Sequence, residues 1–156
     1  MATEQAPAAQ WWDAFPAPRA SCPSIEAGEV KQMLERLEQE PSAKRDFLLV
    51  DVRRTDWEGG TIKSSINFPA QTLYQTRQII YDLCVQAGIT KIIFYCGSSS
   101  GRGPRSANWM QDYINERGDE GRLQSLILKG GVKGWVKAYG ASLMDFWEPT
   151  YWEQFK

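Results

Sequence analysis

Short apolar runs alternate along this chain with segments of helical period, and that alternation restricts the possible folds more than any other feature. Phe47-Leu48-Leu49-Val50-Asp51-Val52 is a run of the kind a sheet buries on both faces, broken by one carboxylate near its C-terminal end. Ile66 to Phe68 reads as a brief strand closed by Pro69, Lys91 to Tyr95 as the next strand and Gln124 to Leu128 as the last. Between these runs, Val30, Met33, Leu34 and Leu37 recur at helical spacing behind Ser24, which reads as an N-cap. Ile80, Leu83, Cys84 and Ala87 line one face of a second helix that Gly88 ends. Ala107, Met110 and Ile114 line a third, from about Pro104 to Glu116, and Val132 to Tyr139 forms a fourth after the Gly130-Gly131 turn. This order predicts an α/β sandwich of three layers, with a small, mainly parallel central sheet flanked by helices. Ligands of such folds bind beyond the C-terminal ends of the strands.

The chain has 156 residues, enough to bury roughly 70% of its unfolded surface and hold a core without disulfides. Residues 1–23 form an arm without periodicity, and its prolines (Pro7, Pro16, Pro18, Pro23) argue against a helix. The arm is too aromatic for an inert linker, so Trp11 and Trp12 are expected to pack on the domain of residues 24–140. Residues 141–156 form an aromatic tail expected to pack there too. The seven tryptophans are expected to fill the core and pin both ends, with Trp147 and Trp152 the candidates for a partner or substrate groove.

There is no histidine, which excludes a Ser-His-Asp triad, a Cys-His pair and any histidine metal site. Cys22, Cys84 and Cys96 lack Cys-x-x-Cys spacing, so no metal site is expected. Cys84 falls on an apolar helix face and reads as core. With 18 basic and 19 acidic residues the chain shows no electrostatic footprint for nucleic acid. No run approaches the roughly 18 apolar residues of a membrane span, and the N-terminus lacks a basic segment followed by an apolar one. A cytoplasmic or nuclear protein is the expectation, with no nucleic-acid or membrane partner and no resident cofactor. The sequence leaves the oligomeric state open.

One stretch looks built for chemistry: Cys96-Gly97-Ser98-Ser99-Ser100-Gly101-Arg102-Gly103-Pro104-Arg105. A strand delivers Cys96 to the edge of the sheet, small residues permit a tight curl, and Pro104 suits a first helical position with Gly103 as cap. The backbone N–H groups of Gly97, Ser98, Ser99, Ser100, Gly101 and Gly103 can turn inward as an anion nest backed by a helix N-terminus. An ordinary cysteine near pKa 8.5 is only about 3% ionised at pH 7, so such a nest would favour the nucleophilic thiolate. The Arg102 fork can hold two oxygens of a tetrahedral oxyanion in front of the sulfur. Asp51 reads as a carboxylate organising nearby loops through hydrogen bonds. Arg105, inside the helix, reads as a structural ion-pair residue in the outer shell, and Lys129, Lys133 and Lys137 read as a solvated face.

These residues resemble the rhodanese-like superfamily, in its branch of M-phase inducer phosphatases and fungal arsenate reductases. The likeness rests on Leu49-Val50-Asp51-Val52-Arg53, Gly59-Gly60-Thr61-Ile62, Asn67-Phe68-Pro69, the loop running into Arg102-Gly103-Pro104-Arg105, and Leu128-Lys129-Gly130-Gly131-Val132-Lys133-Gly134-Trp135. The resemblance implies Cys96 as nucleophile and Arg102 as oxyanion clamp. Sulfurtransferases of this fold look like Cys-x4-Arg, whereas the phosphatase and arsenate reductase branch looks like the Cys-x5-Arg found here. Tyr95 and Thr61 stand where the family commonly has histidine, and Gly97 and Gly101 where the M-phase phosphatases carry loop glutamates. The loop therefore offers no general acid. The leading expectation is a phosphatase acting on aryl or tyrosine phosphomonoesters, whose good leaving groups need little acid help, with a phosphoprotein as a candidate substrate. Arsenate reduction with external glutathione and glutaredoxin comes next. A thiosulfate-type sulfurtransferase and a catalytically weak binding module complete the alternatives.

Overall fold

A computed structural model describes residues 8–156; Pro7 and the rest of the first seven residues of the arm lie outside it. The central sheet has five strands in the order β1-β6-β5-β2-β4: β1 is Ser24–Ile25, β2 Phe47–Asp51, β4 Ile66–Asn67, β5 Lys91–Tyr95 and β6 Gln124–Leu128. All of its pairings are parallel. Two further strands, β3 (Thr61–Ile62) and β7 (Met144–Asp145), pair antiparallel.

Side chains along β5 alternate between two apolar clusters, as the pleat of a strand requires. Ile92, Phe94 and Cys96 face one cluster, which α2 (Ala70–Leu73), α3 (Arg77–Ala87) and α4 (Arg102–Glu116) complete. Ile93 and Tyr95 face the other, against α1 (Ala27–Gln39) and α5 (Gly131–Tyr139). The result is the expected three-layer α/β arrangement. Because β2 and β5 are central and in register, Asp51 opposite Tyr95, the loops that follow them leave the sheet side by side.

The structure corrects several expectations. Ser24 does not cap α1: it pairs in β1 with Ile127, and the helix starts behind Glu26 without a side-chain cap. In α3, Tyr81 is buried and Leu83 exposed, because the helix meets the sheet along Ile80, Tyr81 and Cys84. Helix α4 begins at Arg102 with Gly101 at its N-cap, two residues before Pro104. The arm contains a 3-10 turn, Trp11–Ala14, which fits because it ends ahead of Pro16 and Gln10 N–H donates to the Asp13 carboxylate at 2.8 Å.

Both ends of the described chain are fastened. The arm lies along α4: Asp112 accepts the N–H groups of Arg19 and Ala20, each at 2.8 Å, Asn108 accepts that of Cys22, and the Trp109 indole donates to Pro16 O. At the other end, β7 pairs with β3 and the Trp152 indole donates to Gly59 O at 2.9 Å, with α6 (Pro149–Trp152) closing over the second cluster. No described helix is long and apolar enough to cross a membrane.

Candidate active site

Cys96 follows β5 at the C-terminal edge of the sheet and is buried. The Gly103 N–H, in the first turn of α4, donates to its sulfur at 3.3 Å. A backbone N–H and a helix N-terminus are thus aimed at the sulfur. The curl of the loop is held from behind. Val132 N–H donates to Cys96 O at 3.1 Å and Lys133 N–H to Gly97 O at 2.9 Å, so the first turn of α5 holds these two carbonyls. Gly131 makes the approach possible: a Cβ there would stand 2.5 Å from Cys96 O, and its φ is +61°. Ser99, at φ 56°, adopts the left-handed conformation that closes the curl. Its hydroxyl is buried without a partner among the described residues, while the Ser98 and Ser100 hydroxyls bond each other at 2.7 Å.

The Arg102 guanidinium is already engaged. Its Nη1 and Nη2 each donate to one oxygen of Asp56, both at 2.7 Å. These bonds hold the Asp56 carboxyl down at about 2, against the opposing effect of partial burial. Asp56 is therefore ionised at neutral pH and is no proton donor there. The end-on pairing leaves the Nε–H edge of the guanidinium without a partner among the described residues, and that edge can present two donors to an oxyanion.

Asp56 owes its place to a buried polar network. Asp51, fully buried, accepts Arg53 Nη2 at 2.7 Å and Nε at 3.0 Å, and the Thr61 hydroxyl at 2.8 Å. Arg53 in turn donates to the carbonyls of Asp56, Glu58 and Gly60, so the Asp51–Arg53 pair shapes the loop that carries Asp56 to Arg102. Asp51 thus acts on the loop after β2 and makes no hydrogen bond to the cysteine loop among the described residues. The Tyr95 hydroxyl bonds Thr61, Ser65 and Ile62 N–H on the opposite face of the sheet from Cys96. Burial, with Asp51 nearby, pushes the Tyr95 hydroxyl up, so it stays protonated and apart from the sulfur.

A cavity of about 240 Å³ opens over Cys96. Ser98, Ser100, Gly101 and Arg102 line it together with Trp11 and Trp12 of the arm and Arg105 of α4. One expectation is corrected here. Arg105 makes no ion pair among the described residues but lies with its guanidinium carbon 4.2 Å from the Trp12 ring centre, because its position in α4 turns it toward the cavity and under the arm. The aromatic side chains of the cavity over Cys96 come from the arm, whereas Trp152, on which Trp147 stacks at 6.0 Å, lines a separate cavity with Asp56, Gly97, Tyr151 and Phe155. Sequence reasoning missed Asp56, Gly131 and the arm indoles as parts of this site; only the acidic residue ahead of Gly59-Gly60 and the Trp-Trp pair were visible signals.

The other cysteines are chemically quiet. Burial, aided by Asp112, pushes the Cys22 thiol up to about 12, and burial pushes Cys84 up to about 11. All three cysteines are free. No group of three Cys, Asp or Glu side chains among the described residues is placed to hold a metal ion.

The family model for the rhodanese-like domain matches residues 26–138. The chain belongs to that family. Arsenical-resistance protein 2 of Saccharomyces cerevisiae is 29% identical over 98 residues, spanning 59% of this chain and 75% of that protein. A CDC25-like phosphatase of the same yeast is 28% identical over 105 residues, spanning 62% and 70%. The solved As-Sb reductase of Leishmania major superposes with a TM-score of 0.69 at 22% identity, covering 79% of this chain and 84% of that one. Relatives of this rhodanese-like domain thus include phosphatase and arsenic-linked types, the branch that the cysteine loop resembles.

Proposed function

We propose that this rhodanese-like domain is a cysteine-dependent enzyme that hydrolyses aryl phosphomonoesters. The observation that carries the reading is one cavity lined by Cys96, whose sulfur accepts the Gly103 N–H, by Ser98, Ser100 and Gly101 of the loop, and by Arg102 held in place by Asp56. The Cys96 thiolate attacks phosphorus, the P–O bond to the aryl group breaks and the aryloxide departs with its electron pair. The resulting S–P bond is then cleaved by water, which returns the thiolate and releases phosphate with the water's proton passing to solvent. Arg102 and the loop N–H groups stabilise the equatorial oxygens as charge shifts onto them. Among the described residues lining this cavity none is an acid, and the nearby Asp56 is ionised, so the leaving group is given no proton. Good leaving groups are therefore preferred.

The same absence of an acid favours a second reading, reduction of arsenate with external glutathione and glutaredoxin. There Cys96 would displace one arsenate oxygen as water, and two thiols of the reductant would end as a disulfide, supplying the two electrons that take arsenic from the pentavalent to the trivalent state as arsenite leaves and the Cys96 thiolate returns.

One parallel assay separates the readings: 4-nitrophenyl phosphate, arsenate with glutathione and glutaredoxin, and thiosulfate with cyanide, each with wild type and Cys96→Ser. Cys96-dependent release of 4-nitrophenol is expected. Thiocyanate as the only Cys96-dependent product would overturn both readings.

A further inference from the structure

The arm that walls the cavity over Cys96 lies outside the residues that define the family. The matched region begins at residue 26, whereas the wall is built from Trp11 and Trp12. We propose that Trp11 and Trp12, braced by Arg105, form a recognition wall for the aromatic ring of the substrate, so that the arm selects aryl phosphates among tetrahedral oxyanions.

The wall is fixed in place. Trp11 packs edge-on against Trp109, with ring centres 5.9 Å apart, and Trp109 is buried in the body of α4. Phe15 packs on the same ring at 5.7 Å, and the Trp109 indole N–H holds Pro16 O at 2.8 Å. The Asp112 and Asn108 bonds described above fasten the chain that follows. Trp12 stands at 86° to Trp11, 5.5 Å between centres, and Arg105 covers it with a cation. Both indoles remain half-buried, so apolar ring surface is left facing the cavity. The segment therefore has its conformational cost met before any ligand arrives, which is what a recognition surface needs.

The chemistry of the wall decides the class of ligand. A phosphoryl group over Cys96 places the organic part of an ester about one oxygen atom away, toward the indoles. An aromatic ring there gains offset or edge-to-face contact and removes apolar surface from water. Arsenate and inorganic phosphate have no such part. A short alkyl or acyl phosphate has too little of one to stack. The loop N–H groups and Arg102 would contact only the oxyanion that these ligands share, so the distinction falls to the indoles.

This inference rests on the phosphoryl-transfer reading for its catalytic arm, and binding tests it separately. In the full chain, wild type, Trp12→Ala and Trp12→Phe are compared on 4-nitrophenyl phosphate, an aryl ester, and acetyl phosphate, a mixed anhydride, two phosphoryl donors with good leaving groups. The kcat/KM ratio of aryl to acyl phosphate is expected to fall about tenfold in Trp12→Ala and to recover in Trp12→Phe. A phosphotyrosyl peptide and free phosphotyrosine, run alongside, should show the same dependence on Trp12 whichever of the two sources supplies the ring. The second measurement uses Cys96→Ser, alone and with each Trp12 change, and titrates phenylphosphonate against methylphosphonate by calorimetry. A tenfold preference for the phenyl compound that disappears with Trp12→Ala supports the wall even if no phosphate ester is turned over, which would sink the phosphatase reading alone. An unchanged phenyl-to-methyl ratio, or equal loss of both affinities, overturns the proposal. Should Trp12→Ala fail to fold, Trp12→Leu removes the ring, keeps apolar bulk and carries the same test.

Discussion

Arg102 has two edges, and the structure uses one to hold the residue and leaves the other for a ligand. A lysine could not divide its charge in this way, because an ammonium is a point charge without a fork. Arg102→Lys is expected to lower kcat/KM by about a hundredfold or more while leaving the circular dichroism spectrum unchanged. If Asp56 positions the fork, Asp56→Asn should lower kcat by about tenfold, with Asp56→Glu retaining more; a lower KM at unchanged kcat would instead make Asp56 a competitor for the oxyanion. The same pair has a signature in acid. The folded-state pKa of Asp56, about 2, lies below that of an unfolded aspartate, so its contribution to stability is present above about pH 4 and is lost as pH falls toward 2. Denaturant titrations between pH 5 and 2 should show wild type losing more stability than Asp56→Asn. Cys96 and Arg102 were legible in the sequence because strand, small residues and helix gave them a context. Asp56 was not, since a carboxylate in a loop is solvated by default and its pairing depends on two loops made neighbours by the register of β2 and β5.

At the scale of elements, the cysteine loop depends on a turn it is not joined to. The Gly130-Gly131 signal reads in sequence as a chain reversal, and in the structure its larger effect is to let the first N–H groups of α5 reach the carbonyls of Cys96 and Gly97. Strand and helix order were legible from periodicity because burial on two faces of a sheet and one face of a helix leaves different spacings. Boundaries fared worse where a local preference met a tertiary demand. Ser24 has the chemistry of an N-cap, but the edge of β6 offers it a strand partner, and α4 starts at Arg102 because the loop delivers the chain already curled. Gly131→Ala tests the dependence directly. Its positive φ and the backbone oxygens beside it leave no room for a methyl group, so the turn must shift and carry the loop with it. We expect a stability loss of about 1–3 kcal/mol in urea melts. A larger proportional loss of Cys96-dependent turnover is expected than of folded protein.

Across the whole molecule, the two aromatic ends serve different sides of one site. The arm supplies the wall over Cys96, and the C-terminal segment buttresses the loop that holds Asp56. Gly59 is where the second end docks: a Cβ there would lie 2.4 Å from the Tyr151 ring and 2.6 Å from Trp152 Nε1, at a φ of +77°. Gly59 O accepts both the Trp152 indole N–H and the Glu148 N–H, while one residue on, Gly60 O accepts Arg53 from the Asp51 network. Sequence composition could show that both ends are aromatic; it could not say which ring meets which loop, because those contacts join residues far apart in the chain. Trp152 is the residue through which this coupling is measured. It is 6% exposed, and truncation would remove an indole from the second apolar cluster and a donor from Gly59. Trp152→Ala should therefore cost about 3–5 kcal/mol, a large fraction of the roughly 5–15 kcal/mol that holds a domain of this size together. Guanidinium unfolding followed by fluorescence and by circular dichroism gives the loss. Below the transition, the variant that remains folded should show weaker phosphonate binding, since the loop positioning Asp56 and Arg102 has lost its backing. Unaltered binding in folded Trp152→Ala would confine the C-terminal segment to a role in stability and leave the arm as the one end that serves the site.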